Sequence, residues 1–302
     1  MRRWPLAQLP RSHRPLAAEA LAGATAAGRI LRRKFQTGIA VRMKGPADVV
    51  TEVDEQAQRL LVARLVRRFP AHGILAEERL DRRPQAEWRW LLDPLDGTKN
   101  FAKGHPYFCV SIAVLRNGQT EIGVVHDPLH RETFLAVRGH GAWRNGRRIR
   151  VSEVTRLREA FLGTGVPHRV HLFADSIGRT FTRMAARSFG VRGRGAGALD
   201  LCYVACGRLD GYWEIDQAPW DIAAGGLIVE EAGGRMSDFQ GRPFDIFKGE
   251  TLASNGGIHE ELLAVLAMPG GTPRRHRPQV ASRGRRPGAR FPSPPTRHGG
   301  TP

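Results

Sequence analysis

Apolar residues recur with a helical period early in the chain, then in short runs and strand-like alternation. Residues 16–36 form an Ala-rich helical stretch. Glu19 and Arg29 interrupt it, so it reads as a surface helix rather than the apolar core of a leader. Residues 54–69 repeat the helical pattern, with Val53, Leu60, Leu61, Leu65 and Phe69 facing inward and Pro70 stopping the helix. Lys44-Gly45-Pro46-Ala47, between these helices, reads as a loop. Ile74-Leu75-Ala76 is a short buried run ending in Glu77-Glu78, and Trp90-Leu91-Leu92 is another ending in Asp93. Tyr107–Leu115 and Glu121–His126 flank Asn117-Gly118, a strong hairpin signal. Thr133–Val137 adds a strand, and Asn145-Gly146 a second turn. Residues 88–151 therefore predict a largely antiparallel sheet.

The second half alternates. Strands are expected at Phe161–Thr164, Asp210–Ile215, Arg235–Asp238 and Thr251–Ala253. Helices are expected at Asp175–Ser188, Ala198–Cys206, Pro219–Ala232 and Ile258–Leu266, with Gly207 and Gly233-Gly234 as stops. Strands and helices in blocks predict an α+β fold built in layers. No internal repeat is present, and no composition break occurs before about residue 268, so residues 16–268 read as one folded unit.

Charge changes the picture at the ends. Twelve of the 18 net positive charges lie outside that unit: four arginines without an acid in residues 1–15, and eight in residues 269–302, which leaves +6 for residues 16–268. Residues 1–15 therefore read as a flexible basic N-terminus. Residues 269–302, with eight prolines and six glycines, bury too little apolar surface to offset the entropy of ordering and read as a disordered tail. Such a tail is either a solvated appendage or a nucleic-acid contact. The three cysteines, Cys109, Cys202 and Cys206, lie in apolar runs without ligand-like spacing. That excludes a disulfide scaffold and fits a reducing cytoplasm. No run of 18 apolar residues predicts a membrane span.

The candidate chemistry lies in acids that end apolar runs. Asp93 and Asp96, three apart on a turn stiffened by Pro94, could converge on a hard divalent cation; alone, the pair reads more readily as a cap and a solvated acid. Gly97 and Thr98 follow as a turn whose N–H groups suit an anion. Asp221, after Pro219-Trp220, is ordinary cap chemistry by itself. Glu77-Glu78 alone would be a solvated pair, and Asp48 and Asp54 solvated or capping. Together these acids supply the carboxylates of a multi-metal phosphoryl-transfer site.

Asp93-Pro94-Leu95-Asp96-Gly97-Thr98-Lys99-Asn100 and Trp220-Asp221-Ile222-Ala223-Ala224-Gly225 resemble the two signature motifs of the inositol monophosphatase family, and specifically its bacterial SuhB-like inositol-1-monophosphatases. The resemblance extends over about residues 16–267. It implies a layered αβαβα sandwich of the inositol monophosphatase and fructose-1,6-bisphosphatase type, usually a homodimer. It also implies a Mg²⁺-dependent phosphomonoesterase with two to three ions, sensitive to Li⁺, acting by in-line attack of a metal-activated water on inositol-1-phosphate or a related polyol or sugar phosphate. By the same resemblance, Glu77, Asp93 and the Leu95 carbonyl hold one ion, Asp93, Asp96 and Asp221 a second, and Glu77 shares a third. Thr98, backed by Asp54, orients the attacking water, making Glu77, Thr98 and Asp54 the catalytic set. Asp96, Gly97, Thr98, Gly195, Ala196, Glu214 and Asp221 contact substrate, with Thr164 nearby.

The chain departs from the family at Ala76, where Gly is frequent, at Ala196, where a hydroxyl is common, and in the placement of Lys44. Histidinol phosphate, fructose 1,6-bisphosphate and adenosine 3′,5′-bisphosphate are alternative substrates; Asn100 leans toward the inositol type. A transcription-complex or RNA-associated role, using the arginine tail, is the alternative from another class.

Overall fold

The computed structural model describes residues 4–38, 40–45 and 48–270. From Arg274 on, the basic tail lies outside the described residues, as do Pro46 and Ala47 of the expected loop and the side chains of Lys44 and Asp48.

Helix α1 (Arg14–Lys34) and α2 (Glu52–Arg68) form the first layer. The buried face of α1 is mostly Ala and Gly, so it lies close against its neighbours. Between the helices, β1 (Val41–Gly45) and β2 (Asp48–Thr51) pair antiparallel, where only a loop was expected. Thr51 caps α2, its hydroxyl accepting the Val53 N–H at 3.2 Å.

The second layer is an eight-stranded sheet. Its strands are β3 (Gly73–Ala76), β4 (Leu80–Arg82), β5 (Trp88–Asp96), β6 (Cys109–Arg116), β7 (Gln119–Asp127), β8 (Glu132–Val137), β9 (Gly141–Arg144) and β10 (Arg147–Arg148), in the order β10-β9-β8-β7-β6-β5-β3-β4. As expected from residues 88–151, β5 to β10 are antiparallel neighbours, and both Asn-Gly turns have positive φ at each residue. The pair β3–β5 is parallel. Leu61, Leu65, Trp90, Ile112 and Val124 join α1 and α2 to this sheet in one core.

On its other face lie α5 (Gly197–Ala205) and α6 (Pro219–Glu231), packed with Leu91, Ala113 and Val125. Beyond them is a five-stranded sheet of β11 (Phe161–Thr164), β12 (Gly190–Gly193), β13 (Gly211–Ile215), β14 (Arg235–Ser237) and β15 (Glu250–Ser254), ordered β12-β11-β13-β15-β14. Helices α4 (Ala174–Ala185) and α7 (His259–Leu266) close the far side over Leu162, Trp213 and Leu252. The layers run helix, sheet, helix, sheet, helix, which is the expected αβαβα sandwich.

The basic N-terminal segment packs onto the fold from residue 4 onward. Trp4 and Leu6 pack against the first core, Leu9 is buried in it, and Arg14 clips the segment through the Leu9 and Ala7 carbonyls at 2.8 and 2.7 Å. Three apolar anchors among the arginines outweigh their charge. At the other end, Arg183 and Arg179 donate to the carbonyls of Met268, Pro269 and Gly270, so the expected tail is tied down over its first two residues. Among the described residues no helix is long and apolar enough to cross a membrane. The three cysteines are free thiols, with Cys109 and Cys202 buried.

Candidate active site

Strand β5 carries the centre of the site. In a regular strand, residues three apart point to opposite faces. Here the register against β6 slips, Asp93 facing Ser111 and Asp96 facing Cys109, so β5 holds one extra residue. Pro94, which has no N–H to give a ladder, sits in this bulge. The slip turns Asp93 and Asp96 toward the same side. Asp93 Oδ1 accepts the Leu95 N–H at 2.9 Å. Asp96 Oδ2 accepts the Ala198 N–H at 2.8 Å and faces the Cys109 thiol at 3.6 Å.

Glu77 follows directly after β3. The parallel pairing of Ala76 with Leu92 brings Glu77 beside Asp93, and the Glu77 N–H donates to the Leu92 carbonyl at 3.2 Å. Gln58 of α2 holds both backbone groups of Glu78 at 3.0 Å, locking this turn. Asp221 stands in the first turn of α6 and accepts the Ala218 N–H at 2.9 Å. Ser111 Oγ donates to the Trp220 carbonyl at 3.1 Å, tying that helix start to β6 beside Asp93.

Asp93 feels the charges of the other acids. Burial pushes the Asp93 carboxyl well above its ordinary range, and the charges of Glu77, Asp96 and Asp221 push it further. Burial lifts Asp96 to about 7, despite the Ala198 N–H, and Glu214 to about 8. Asp54 is lifted to about 6 by burial, although Thr51 donates to its Oδ2 through N–H at 2.8 Å and hydroxyl at 2.5 Å.

Gly97 has φ +92, and a Cβ there would meet the Tyr107 carbonyl at 3.0 Å and Ala196 at 3.3 Å; only glycine fits. It opens the short helix α3 (Thr98–Ala102). The Thr98 hydroxyl lies 3.0 Å from both Asp54 Oδ1 and the Leu95 carbonyl, and its single proton serves one at a time.

Glu214, on β13, accepts the Tyr212 hydroxyl and packs onto the Cα of Gly165, where a Cβ would collide with its carboxylate. Thr164 is buried, its hydroxyl on the Trp213 carbonyl at 2.9 Å. Gly195 has φ +77 beside the Asn100 amide. Ala196 is 1% exposed and abuts Gly97, so its methyl group faces protein. Glu77, Asp96 and Asp221 thus lie within electrostatic reach of Asp93. Thr51, Gln58 and Cys109, which position acids of the site, were missed; only the Thr-x-x-Asp spacing of Thr51 and Asp54 carried a capping signal.

Among the described residues no group of three or more His, Cys, Asp or Glu side chains is placed to hold a metal ion. The donor chemistry nonetheless fits a hard divalent cation. The donors are carboxylate oxygens: Asp93, Asp96 and Asp221 are each anchored by a backbone N–H, and the charges of Glu77, Asp96 and Asp221 act on buried Asp93, a repulsion that a divalent cation relieves.

The sequence profile of the inositol monophosphatase family matches residues 12–268. The chain belongs to that family. It is 42% identical to the Nus factor SuhB of Pseudomonas aeruginosa over 259 residues, 83% of this chain and 96% of that protein. It is 40% identical to the inositol-1-monophosphatase of Mesorhizobium japonicum over 246 residues, 80% and 92% of the two chains. The solved inositol monophosphatase of Anabaena superposes with a TM-score of 0.77 at 38% identity, covering 84% of this chain and 96% of that one. The chain is a phosphatase of this family, a phosphoric monoester hydrolase.

Proposed function

We propose that this inositol monophosphatase family member is a Mg²⁺-dependent phosphatase of inositol-1-phosphate or a related polyol or sugar phosphate. The gathering of Glu77, Asp93, Asp96 and Asp221 around the β5 bulge carries the reading. Glu77, Asp93, Asp96, Asp221 and the Leu95 carbonyl would hold two to three ions. When bound, those ions supply positive charge that acidifies a water and neutralises the departing alkoxide. The Thr98 hydroxyl, held by Asp54, orients the water and passes its proton inward. The Gly97 and Thr98 N–H groups hold the phosphate. The water oxygen forms the new P–O bond as the ester P–O bond breaks opposite it. Glu214 and the segment Gly195-Ala196 line the alcohol side.

A phosphate-release panel of inositol-1-phosphate, histidinol phosphate, fructose 1,6-bisphosphate and adenosine 3′,5′-bisphosphate tests the substrate. Inositol-1-phosphate is expected to be turned over fastest; an inert panel would remove the reading. LiCl should inhibit phosphate release where equal NaCl does not. An equal response to both salts would count against a family-type cation site.

Free buried thiols favour a reducing compartment, the cytoplasm, and the family resemblance favours a homodimer. A transcription-related role has support from the Nus factor name of the Pseudomonas relative and from the eight arginines beyond residue 268. Ending the chain at Gly270 should leave the melting temperature and small-ester hydrolysis nearly unchanged. If the tail binds RNA, filter binding of the full chain should fall steeply with salt and be lost on truncation. RNA binding that survives truncation would place the affinity elsewhere.

A further inference from the structure

The turn that delivers the Ala198 N–H to Asp96 begins at Arg194, outside the carboxylate set. The Arg194 guanidinium lies in the corner of two nearly perpendicular rings, 4.9 Å from the Tyr107 centroid and 4.5 Å from that of Tyr203. It pairs with Asp200 Oδ1 at 2.7 Å, and the Tyr107 hydroxyl donates to the same oxygen at 2.7 Å. Asp200, on α5, is 1% exposed, and among the described residues its Oδ2 has no hydrogen-bond partner. Its charge is therefore compensated through Arg194. On its far side, Tyr203 carries Arg208 at 4.7 Å, which forks onto Glu132.

The backbone of the same residue is also held. Asn100 Nδ2 donates to the Arg194 carbonyl and to the Tyr107 carbonyl, both at 2.7 Å. Residues 194–200 are thus clamped at both ends, by the side chain of Arg194 onto Asp200 and by its carbonyl onto Asn100. Between the clamps lie Gly195, at φ +77, a glycine conformation with little preference of its own, and Gly197, which opens α5. The N–H of Ala198 emerges from this span onto Asp96.

We propose that Arg194 is a positioning residue: by closing the 194–200 turn onto Asp200 and the Tyr107–Tyr203 corner, it holds the Ala198 N–H on Asp96 and so fixes the aim of that carboxylate. The consequence for rate rests on the phosphatase reading above; the consequence for the turn does not. A loosened turn frees Asp96 to rotate, and small misplacements of reacting groups cost as much as about 10²-fold in rate.

The test compares wild type, R194M, R194M/D200N and I258A. Ile258 is buried in the third core, away from the site, and I258A serves as the stability control. Melting temperature, kcat and KM on the preferred phosphate ester, and hydrogen–deuterium exchange across residues 195–206 are measured. R194M should lower kcat by about 10- to 100-fold with a smaller change in KM, and should speed exchange at residues 195–198. I258A should lose stability and keep kcat. R194M/D200N removes the uncompensated buried carboxylate, so it should regain melting temperature without regaining kcat or protection. Wild-type kcat and unchanged exchange in R194M would overturn the proposal. So would a double variant that recovers kcat together with stability, because Arg194 would then only neutralise Asp200. If the wild type hydrolyses no ester, the phosphatase reading fails, and exchange at residues 195–198 still decides the role of Arg194 in the turn.

Discussion

Replacing Asp93 or Asp221 by Asn is expected to abolish most turnover at ordinary Mg²⁺ while leaving the fold intact. The two residues lie about 130 positions apart in sequence, yet the charge of Asp221 acts on Asp93 at the end of β5. An amide keeps the shape of the carboxylate and its one anchoring bond, since a carbonyl oxygen can still accept the Leu95 or Ala218 N–H. What it removes is a negative charge and a strong cation donor. Losing such a ligand costs several kcal/mol of transition-state stabilisation, at least about 10²-fold in rate. Calorimetric titration should show weakened Mg²⁺ binding in both variants. In the absence of cations, D93N should melt no lower than wild type, because it relieves repulsion from Glu77, Asp96 and Asp221. Near-normal turnover in either variant would remove these residues from the site. Lost turnover with a collapsed melting temperature would make Asp93 a structural acid instead.

Much of this site was legible because its chemistry is consecutive. Asp93 to Asn100 is one strand end and one turn, and Trp220 to Gly225 is one helix start. Short-range rules and a specific motif read such segments well. The devices that aim the acids are of another kind. The one-residue slip between β5 and β6 exists only in the pairing of two strands, and nothing in Asp-Pro-Leu-Asp alone fixes which partner residues it faces. Gln58 reaches Glu78 from another element, and Cys109 reaches Asp96 from the neighbouring strand. Arg194 looks like one more surface arginine until the fold sets Tyr107 and Tyr203 around it. The strands that escaped notice share a cause as well. Gly190-Val191-Arg192-Gly193 has too little apolar alternation to signal a strand, and forms one by pairing parallel with β11. Val41–Gly45 lacks a regular apolar alternation as well, and depends on β2 in the same way.

The same buried acids predict a stability that runs against pH when cations are withheld. Asp54, Asp96 and Glu214 sit at about 6, 7 and 8, each above its ordinary value, and Asp93 is raised too. Burial is the first cause in every case. A raised acid holds its proton in the fold at a pH where the unfolded chain has released it. The folded state then binds more protons, and stability falls as pH rises between the unfolded and folded values. The window runs from about pH 4 to about pH 8, and each group removes on the order of a few kcal/mol across it. EDTA-treated protein should therefore melt lower at pH 8 than at pH 5.5. Added Mg²⁺ binds the ionised acids of the folded state and stabilises by mass action. Its effect on melting temperature should be large at pH 8 and small at pH 5.5, where protons already occupy the same oxygens. D93N, with one acid fewer, should show a shallower pH slope and a smaller Mg²⁺ gain. A melting temperature that rises with pH in EDTA, or a Mg²⁺ gain equal at both pH values, would mean that these carboxylates are neutralised by groups of the protein itself and leave no charge for a cation to meet.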